Sequence, residues 1–564
     1  MLEMKIQKEY EKWLEKATKD TDLIEELISI KDNEDSIVDA FYTDLTFGTG
    51  GLRGVIGAGT NRVNVYTIAK ASHGLANYIN KNFESEDKRI AVSYDSRIKS
   101  ELFAEISCAV FAANGIETHI YKELMPTPCL SFAVRELNCA AGIMVTASHN
   151  PAKYNGYKVY GSDGCQITTE AASDIYNEIK NVDIFSDSKS IEFQIGVQNG
   201  MIKYIEDDVY TKFINCVKNE TMISTEEKID KNVSIVYSPL NGTGLKPVLR
   251  VLNESGYTNI KVVEEQKYPD GHFPTCPYPN PEIQEAMALG IEYAKKYQAE
   301  LLLATDPDCD RVGIAVKDSN NEYQLITGNE VGLLLFDYIC ARRIALGKMP
   351  KEPVVVKTIV TTDLTDKIAE YYGVKVVNVL TGFKFIGEQI GKLEKENKES
   401  SYIFGFEESY GYLSGTYVRD KDAVNGAFLI CEMFSYYKSK GISLIDKLNE
   451  LYNRFGYCLN TLHSYEFEGP SGFNKMQEIM NTFRSNNEIL GLDIKDVIDY
   501  SNGIDGLPKS NVIKLLLNDD STIVVRPSGT EPKLKIYLSL LVQHKEDGYE
   551  LEDLLVNNLN TILK

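Results

Sequence analysis

The acidic run DPDCDR, from Asp306 to Arg311, has a spacing that suggests chemistry directly. Asp306, Asp308 and Asp310 alternate, so in an extended turn their carboxylates converge on one side. Three crowded carboxylates repel one another unless a hard cation such as Mg²⁺ neutralises them. An EF-hand is excluded, because Arg311 and Lys317 stand where its turn glycine and bidentate glutamate belong. A solvated acidic turn is the alternative, but the preceding apolar strand favours a metal site.

The stretch TASHNPAKYNGYK, from Thr146 to Lys158, places a serine beside a histidine after another apolar run. Neighbouring side chains of an extended segment point to opposite faces, so we do not expect Ser148 and His149 to pair as nucleophile and base. Three aspartates leave a bound cation with open positions, which a phosphoryl oxygen on Ser148 could fill. Ser148 is therefore a candidate nucleophile, with His149 in a positioning role. Capping of a helix after Asn150 is the competing interpretation.

RPSGTEPKLKIY, beginning at Arg526, has the composition of a phosphate-binding loop. Arg526 offers phosphate a bidentate match, Ser528 and Thr530 offer hydroxyls, and Gly529 lets backbone N–H groups approach the oxygens. A Walker loop is excluded because its GxxxxGK[ST] pattern is absent. A plain hairpin turn remains the alternative.

The glycine-rich stretch FGTGGLRGVIGAGTNR resembles a dinucleotide fingerprint only superficially. Arg53 and Arg62 stand where the pattern requires glycine or alanine, so a Rossmann cofactor site is rejected. The flexible backbone around Arg53 is read either as an anion-facing loop or as a simple glycine-rich turn.

GFEESYGY places Glu407 and Ser409 on one side of an extended loop. A carboxylate and a hydroxyl together suit hydrogen bonds to vicinal sugar hydroxyls, although a surface turn would show the same pattern. Lys384 and Lys421 could supply a local positive field, or be ordinary surface lysines.

Strand, helix and strand recur three times before these loops, which predicts βαβ units with mainly parallel sheets. Ligands of such sheets bind at the carboxyl ends of strands, so the three loops suggest one composite site. Opening strands are predicted at 89–94, 233–237 and 353–356, helices at 101–114, 245–254 and 364–372, and final strands at 143–145, 300–304 and 402–404. We predict three related α/β domains, 1–205, 206–318 and 319–452, and a C-terminal α+β domain, 453–564.

Composition limits the partners and the location. A formal charge of −22 over 564 residues repels polyanions, so nucleic acid and anionic membrane are not expected partners. The charged N-terminus lacks the apolar core of a signal peptide, and Asp337 and Arg342 interrupt the most apolar stretch. Ten cysteines without a CxxC pair indicate reduced thiols. We therefore expect a cytoplasmic protein.

TASHNP, DPDCDR, GFEES and RPSGTEPK, in this order, resemble the α-D-phosphohexomutase superfamily from about Phe47 to the C-terminus. The details look most like the branch with bacterial α-phosphoglucomutases and phosphopentomutase-type enzymes. The resemblance implies four domains around a central cleft. It also implies a role for each site residue: Ser148 as the phosphoserine; Asp306, Asp308 and Asp310 with that serine as ligands of one Mg²⁺; Arg311 and Arg53 beside the phosphoryl group; His149 and Lys158 in proton handling; Glu407 and Ser409 in sugar selection; and Arg526, Ser528, Gly529 and Thr530 on the non-reacting phosphate.

The implied reaction interconverts α-D-glucose 1-phosphate and glucose 6-phosphate through glucose 1,6-bisphosphate. Phosphopentomutase and phosphomannomutase activities are alternatives with the same mechanism. A metal-dependent sugar phosphatase and a sugar-phosphate-binding protein without catalysis are the rival classes. The expected partner is a small phosphosugar, and the expected assembly is a monomer or a homodimer.

Overall fold

The structure, a computed structural model, describes residues 2–48, 50–187, 189–467, 469–485, 494–504, 506–528 and 533–563. It opens with three amphipathic helices, α1 (Leu2–Lys16), α2 (Thr21–Ser29) and α3 (Glu34–Phe41). Trp13 of α1 is fully buried and meets the rings of Phe41, Tyr66 and Phe185 at 5.7, 5.6 and 5.4 Å. The three helices therefore belong to the core of the first domain.

The first sheet has the order β1-β5-β4-β2-β3-β6, in which β1 and β5 run antiparallel to their neighbours and the other pairs are parallel. Its elements are β1 Gly51–Val55, α4 Val65–Asn82, β2 Arg89–Tyr94, α5 Ser100–Ala113, β3 Glu117–Ile120, α6 Thr127–Glu136, β4 Ala141–Val145, β5 Tyr154–Gly161, α7 Thr169–Lys180, α8 Phe193–Gln198 and β6 Ile202–Tyr204, followed by α9 Asp207–Asn219.

The second sheet has the order β11-β10-β9-β7-β8, parallel from β9 to β8 and antiparallel elsewhere. Its elements are β7 Ile235–Ser238, α10 Leu245–Glu254, β8 Ile260–Val262, α11 Gln284–Tyr297, β9 Leu301–Thr305, β10 Val312–Lys317 and β11 Tyr323–Ile326.

The third sheet has the order β13-β12-β14-β15, with only β15 antiparallel. Its elements are α12 Gly328–Ala345, β12 Val354–Thr358, α13 Leu364–Tyr372, β13 Lys375–Val379, α14 Phe383–Lys395, β14 Tyr402–Glu407, β15 Gly411–Leu413, α15 Ala423–Lys438 and α16 Leu444–Phe455.

The three sheets share one central arrangement. In each, the opening strand lies between a parallel strand and the strand that precedes the polar loop, and an antiparallel strand follows that loop. The loops after β4, β9 and β14 therefore leave equivalent edges of three related units. The predicted alternation of strands and helices is confirmed.

The fourth sheet is wholly antiparallel, with the order β16-β20-β19-β18-β17. It packs against the third unit around Asp363, whose carboxylate accepts hydrogen bonds from Lys357, Lys514 and Thr522. Its elements are β16 Tyr457–Glu466, α17 Gly469–Ser485, β17 Ile494–Asp499, β18 Ile513–Leu517, β19 Thr522–Pro527, β20 Lys533–Val542 and α18 Lys545–Leu563.

The first three units pack directly against one another. Three aromatic rings, Phe132 from α6, Phe213 from α9 and Tyr417 from the third unit, pack edge to face with centroid distances of 5.8 and 6.0 Å. The predicted fold class is confirmed, while the boundaries at 205, 318 and 452 stay predictions. Among the described residues, no helix is long and apolar enough to cross a membrane.

Because Trp13 is the only tryptophan, its fluorescence reports the packing of the N-terminal helices. We expect Phe41→Ala to cost about 3–5 kcal/mol of local unfolding free energy, since it empties a buried ring site. The midpoint of the Phe41→Ala fluorescence transition should therefore move to a lower urea concentration. Phe404→Ala, in a hydrophobic cluster separate from the one that contains the N-terminal helices, is the control. An equal fluorescence shift in that variant would contradict the assignment.

Candidate active site

The loop after β4 turns sharply at Ser148, which has a φ of 53° and is 4% exposed. This left-handed turn brings Ser148 Oγ to 3.0 Å from His149 Nδ1. The prediction that these neighbours do not pair is therefore wrong, because it assumed an extended segment. The capping interpretation is also wrong, since β5 rather than a helix follows Pro151.

A buried network of polar side chains holds this turn. Thr146 Oγ1 accepts a hydrogen bond from the Ser148 amide at 2.8 Å and donates one to Asp95 Oδ2 at 2.6 Å. Arg97 donates to the Ser148 carbonyl. Asp95 and Arg97 were not among the predicted site residues. They belong to SYDSR, in which they follow β2 at the same sheet edge, and the rule that ligands bind at the carboxyl ends of strands could have found them.

The acidic loop after β9 brings Asp306, Asp308 and Asp310 together, all fully buried, with one oxygen of each within 4.8 Å of the others. The turn is tight rather than extended, because Cys309 is left-handed with a φ of 50°. Convergence of the carboxylates was predicted, but the conformation that produces it was not.

The donor set suits a divalent cation. Asp308 Oδ1 and Asp310 Oδ1 are buried and have no hydrogen-bond partner among the described residues. Such carboxylate oxygens are costly to bury unless a positive charge meets them. Clustered carboxylate oxygens are also the ligands that Mg²⁺ prefers.

The loop 146–153, called the nucleophile loop because it carries the candidate nucleophile Ser148, and the acidic loop meet directly. Ser148 Oγ donates to Asp306 Oδ2 at 3.2 Å across 158 sequence positions. Thr127, at the N-terminus of α6, donates to Asp308 from its hydroxyl at 3.0 Å and from its amide at 2.9 Å. The positive end of α6 thus faces the acidic loop, a contact that the sequence analysis missed.

Two lysines from different units neutralise part of this charge. Lys158 Nζ lies 2.8 Å from Asp308 Oδ2 and 3.5 Å from Asp310 Oδ2. Lys421 Nζ lies 2.9 Å from Asp310 Oδ2 and 3.5 Å from Asp420. The structure therefore brings Lys158 and Lys421 together, and Lys421 is not a solvated surface lysine.

The ionisation of the acidic loop follows these contacts. Burial and the two neighbouring carboxylates raise the pKa of Asp306 well above its usual value. Burial also acts on Asp308 and Asp310, but Lys158 and Lys421 hold the pKa of each below its usual value. Asp306 is thus the carboxylate that most needs a further cation.

The pKa values of His149 and Lys158 shift in opposite directions. Burial, reinforced by Arg311 and Arg53, lowers the pKa of His149 well below its usual value, so the ring is neutral near pH 7. Burial alone would lower the pKa of Lys158, but Asp308 and Asp310 raise it. His149 can accept a proton, whereas Lys158 stays charged.

Two arginines flank the turn. Arg53 donates from Nη1 to Asn150 Oδ1 at 3.0 Å. Arg311 forms a short ion pair with Glu282, and its Nε lies 3.8 Å from Asp310 Oδ1. Glu282 was not found from the sequence, because no local pattern shows that it reaches the acidic loop.

Glu407 is the last residue of β14 rather than part of an extended loop, and Ser409 lies in the following turn, 408–410. The extended conformation predicted for this pair is wrong. Burial raises the pKa of Glu407 to about 7, although Lys421 and Arg311 oppose the shift. Glu407 therefore faces the same cations as the acidic loop.

Lys384 lies in the first turn of α14. Its carbonyl accepts a hydrogen bond from the Cys165 thiol at 3.2 Å, which joins the first and third units. Its ammonium lies 5.1 Å from the centroid of the Phe385 ring, and burial lowers its pKa. A role in substrate binding stays a prediction.

In the fourth unit, Arg526 and Lys535 face each other directly across β19 and β20. Like charges in opposing positions are destabilising unless an anion lies between or beside them. The Ser528 amide donates to the Lys533 carbonyl at 2.7 Å, while Gly529 and Thr530 lie outside the described residues. Arg526 and Lys535 thus place two positive charges near the end of β19, close to Ser528 in the sequence.

Comparisons with known proteins agree with this architecture. Models of phosphoglucomutase/phosphomannomutase α/β/α domains I, II and III match residues 44–184, 211–320 and 327–455. A phosphoglucomutase of Staphylococcus aureus (strain bovine RF122 / ET3-1) is 40% identical over 90% of this chain and 92% of its own length.

Solved structures show the same fold. The Paramecium phosphoprotein pp63/parafusin, a phosphoglucomutase in its open form, has a TM-score of 0.70 at 18% identity, over 92% of this chain and 95% of its own. A phosphoglucomutase/phosphomannomutase family protein of Burkholderia thailandensis has a TM-score of 0.68 at 16% identity, over 92% of this chain and 97% of its own. The chain belongs to the phosphoglucomutase/phosphomannomutase family.

Proposed function

We propose that this protein is a phosphohexomutase that interconverts α-D-glucose 1-phosphate and glucose 6-phosphate through a phosphoserine at Ser148 and a glucose 1,6-bisphosphate intermediate. The observation that carries the proposal is the contact of Ser148 Oγ with the buried acidic loop, 3.2 Å from Asp306. A phosphoglucomutase relative at 40% identity supports glucose phosphate rather than pentose or mannose phosphate as substrate.

Asp306, Asp308, Asp310 and the phosphorylated Ser148 would hold one Mg²⁺. When bound, the ion supplies positive charge that stabilises the phosphoryl oxygens during transfer. Lys158 and Arg311 already carry positive charge at the same place, and Arg53 adds charge beside Asn150. Their proposed role is to neutralise the transferring group.

In the first half-reaction, the phosphoryl group leaves Ser148 Oγ and bonds to the free sugar hydroxyl oxygen. The hydroxyl proton is released and Ser148 Oγ is protonated, so atoms and charge balance. The His149 ring is neutral, and its Nδ1 lies 3.0 Å from Oγ. It is therefore placed to take up the hydroxyl proton and return a proton to Oγ. Reversal of these steps on the other phosphate of the bisphosphate completes the isomerisation.

The sugar and its second phosphate need separate contacts. Glu407 and Ser409 would accept and donate hydrogen bonds to sugar hydroxyls, with Lys384 and Lys421 supplying positive charge nearby. Arg526, Ser528, Gly529 and Thr530 would grip the phosphate that does not react. The bisphosphate must turn over between the half-reactions, so one grip serves both phosphates.

A metal-dependent phosphatase would use the same serine but release inorganic phosphate steadily. A mutase instead exchanges isomers with hardly any phosphate release and responds to a catalytic amount of glucose 1,6-bisphosphate.

The ten free cysteines support a cytoplasmic location, where thiols stay reduced. Whether the protein acts as a monomer or a homodimer stays a prediction.

We expect Ser148→Ala to abolish exchange between glucose 1-phosphate and glucose 6-phosphate, because no oxygen remains to carry the phosphoryl group. A coupled assay with bisphosphate primer measures the rate. Ser107→Ala, which changes a buried helix serine that donates to Phe103 O, is the matched control and should keep its activity. Near-normal exchange in the Ser148 variant would refute the phosphoserine.

We expect Asp308→Asn to raise the Mg²⁺ concentration for half-maximal activity and to slow transfer by orders of magnitude, since it removes one ligand charge. A magnesium titration checks this. Asp337→Asn, which alters a buried carboxylate paired with Lys447, controls for loss of stability. An unchanged titration in the Asp308 variant would count against the metal site.

Glu407 should impose an acid limb on kcat/KM for glucose 1-phosphate. Because its pKa is raised to about 7, its carboxyl gains a proton as the pH falls below 7 and the ionised acceptor is lost. The expected decline is about tenfold per pH unit. Glu407→Gln should have low kcat/KM at all pH values and lack this limb, leaving only the titration of the substrate phosphate. An identical pH profile in both proteins would rule out Glu407 as its origin.

A further inference from the structure

We propose that Arg97 is a positioning residue for the transfer reaction, and that its contact with the turn Asp270–Phe273 sets the distance between the nucleophile loop and the acidic loop. The inference rests on the proposed function for its kinetic consequence. Its structural part, the conformation of Ser148, is independent of any activity.

Arg97 binds the nucleophile loop through backbone carbonyls alone. Its Nη1 donates to the carbonyls of Pro151 and Tyr154, both at 3.0 Å, and its Nη2 donates to those of Ser148 and Asn150. Its side chain is fully buried. One planar guanidinium thus holds four carbonyls of the turn, which a lysine ammonium cannot do with the same geometry.

Asp95 fixes the orientation of that guanidinium. Its Oδ2 lies 3.3 Å from Arg97 Nε and accepts the Thr146 hydroxyl, which in turn holds the Ser148 amide. The amide and the carbonyl of Ser148 are therefore both held from one ion pair. This explains how a non-glycine residue keeps a left-handed φ at the reacting position.

The second unit covers the other side of Arg97. The Phe273 ring lies with its centroid 5.1 Å from the guanidinium carbon, and Phe273 is 1% exposed. A guanidinium over an aromatic face is attracted to it, more so where water is excluded. Arg97 is therefore enclosed between the nucleophile loop and Phe273.

Gly271 brings the backbone of the same turn against the Arg97 segment. A Cβ at Gly271 would lie 2.5 Å from Ile98 N, 2.7 Å from Ser96 O and 2.8 Å from the Arg97 carbonyl carbon. These neighbours are backbone atoms, so they cannot move aside cheaply. The two units touch here at a distance that only glycine permits.

The turn is also connected to the acidic loop. The Asp270 amide donates to the Asn241 carbonyl at 3.0 Å. Two residues on, the Thr243 amide donates to the Pro307 carbonyl at 2.8 Å, and a Cβ at Gly242 would lie 2.4 Å from Pro307 Cα. A chain of contacts therefore runs from Ser148 through Arg97 and Phe273 to Pro307. Pro307 lies between Asp306 and Asp308 in the acidic loop.

This connection is separate from the hydrogen bond between Ser148 Oγ and Asp306, which transfer of the phosphoryl group must alter. It keeps the two loops in place while that bond changes. Phosphoryl transfer needs in-line positioning above all, and a displacement of about 1 Å can cost about 10²-fold in rate.

Arg97→Lys tests the positioning role. With glucose 1-phosphate, bisphosphate primer and Mg²⁺, we expect kcat to fall by about 10²-fold while KM changes by less than about threefold, because substrate contacts remain. Arg342→Lys is the matched control: Arg342 is also buried, lies 4.7 Å from the Tyr436 ring and binds a carbonyl, but far from the site. It should lose stability and keep its kcat. A kcat within twofold of wild type in Arg97→Lys would overturn the inference.

Phe273→Leu tests the interdomain part, and keeps the inference testable if Arg97→Lys fails to fold. We expect kcat to fall by about tenfold with KM unchanged. Phe111→Leu, a fully buried phenylalanine of α5, is the matched control and should lower the melting temperature without lowering kcat. Equal kcat values for the two variants would overturn the link between the units.

A crystal structure of Arg97→Lys separates this inference from the proposed function. We expect Ser148 to leave the left-handed region and its Oγ to move out of hydrogen-bond reach of Asp306. An unchanged Ser148 would overturn the inference whatever the enzyme catalyses. Conversely, a wild-type protein without isomer exchange would refute the proposed function, and this structure would still decide the role of Arg97.

Discussion

Mutual repulsion among three buried carboxylates is the constraint around which the structure is organised. Asp306, Asp308 and Asp310 have no exposed surface, and burying even one unpaired carboxylate is expensive. The charges that offset them come from other units: Lys158 from the first domain and Lys421 from the third. The acidic loop is therefore tolerable only when three units are packed together.

Repetition of one topology explains how distant residues reach this place. Each of the first three sheets sends a loop from the same edge, and a different group lies at each of these strand ends: the Ser148 hydroxyl, the aspartates, and Glu407. The fourth sheet is antiparallel and contributes the opposed pair Arg526 and Lys535 instead. The proposed nucleophile, metal ligands, sugar contacts and phosphate grip thus come from separate units.

Sequence alone could predict the strand, helix and loop order, because apolar periodicity and the position of loops at strand ends are local properties. It could not predict the pairing of Ser148 with His149, since the left-handed φ at Ser148 depends on Arg97 and Asp95, far away in the sequence. Thr127 was missed for the same reason, because its contact with Asp308 crosses from the first unit to the second. Glu282 was missed because it pairs with Arg311 within the same unit but 29 positions away in the sequence. Sequence patterns identified the residues that are proposed to react, and they missed residues that hold those groups in place.

The chain as a whole is strongly acidic, yet its proposed substrate is an anion. Repulsion between exposed charges is screened within about 8 Å at physiological ionic strength, so the net charge of −22 weighs little once a ligand lies beside the acidic loop. There, Lys158, Lys421 and Arg311 act at short range and low exposure. A bisphosphate carries more charge than either monophosphate and so interacts more strongly with these cations. The same field that admits the substrate therefore favours retention of the intermediate over its release, which a mutase requires and a phosphatase does not.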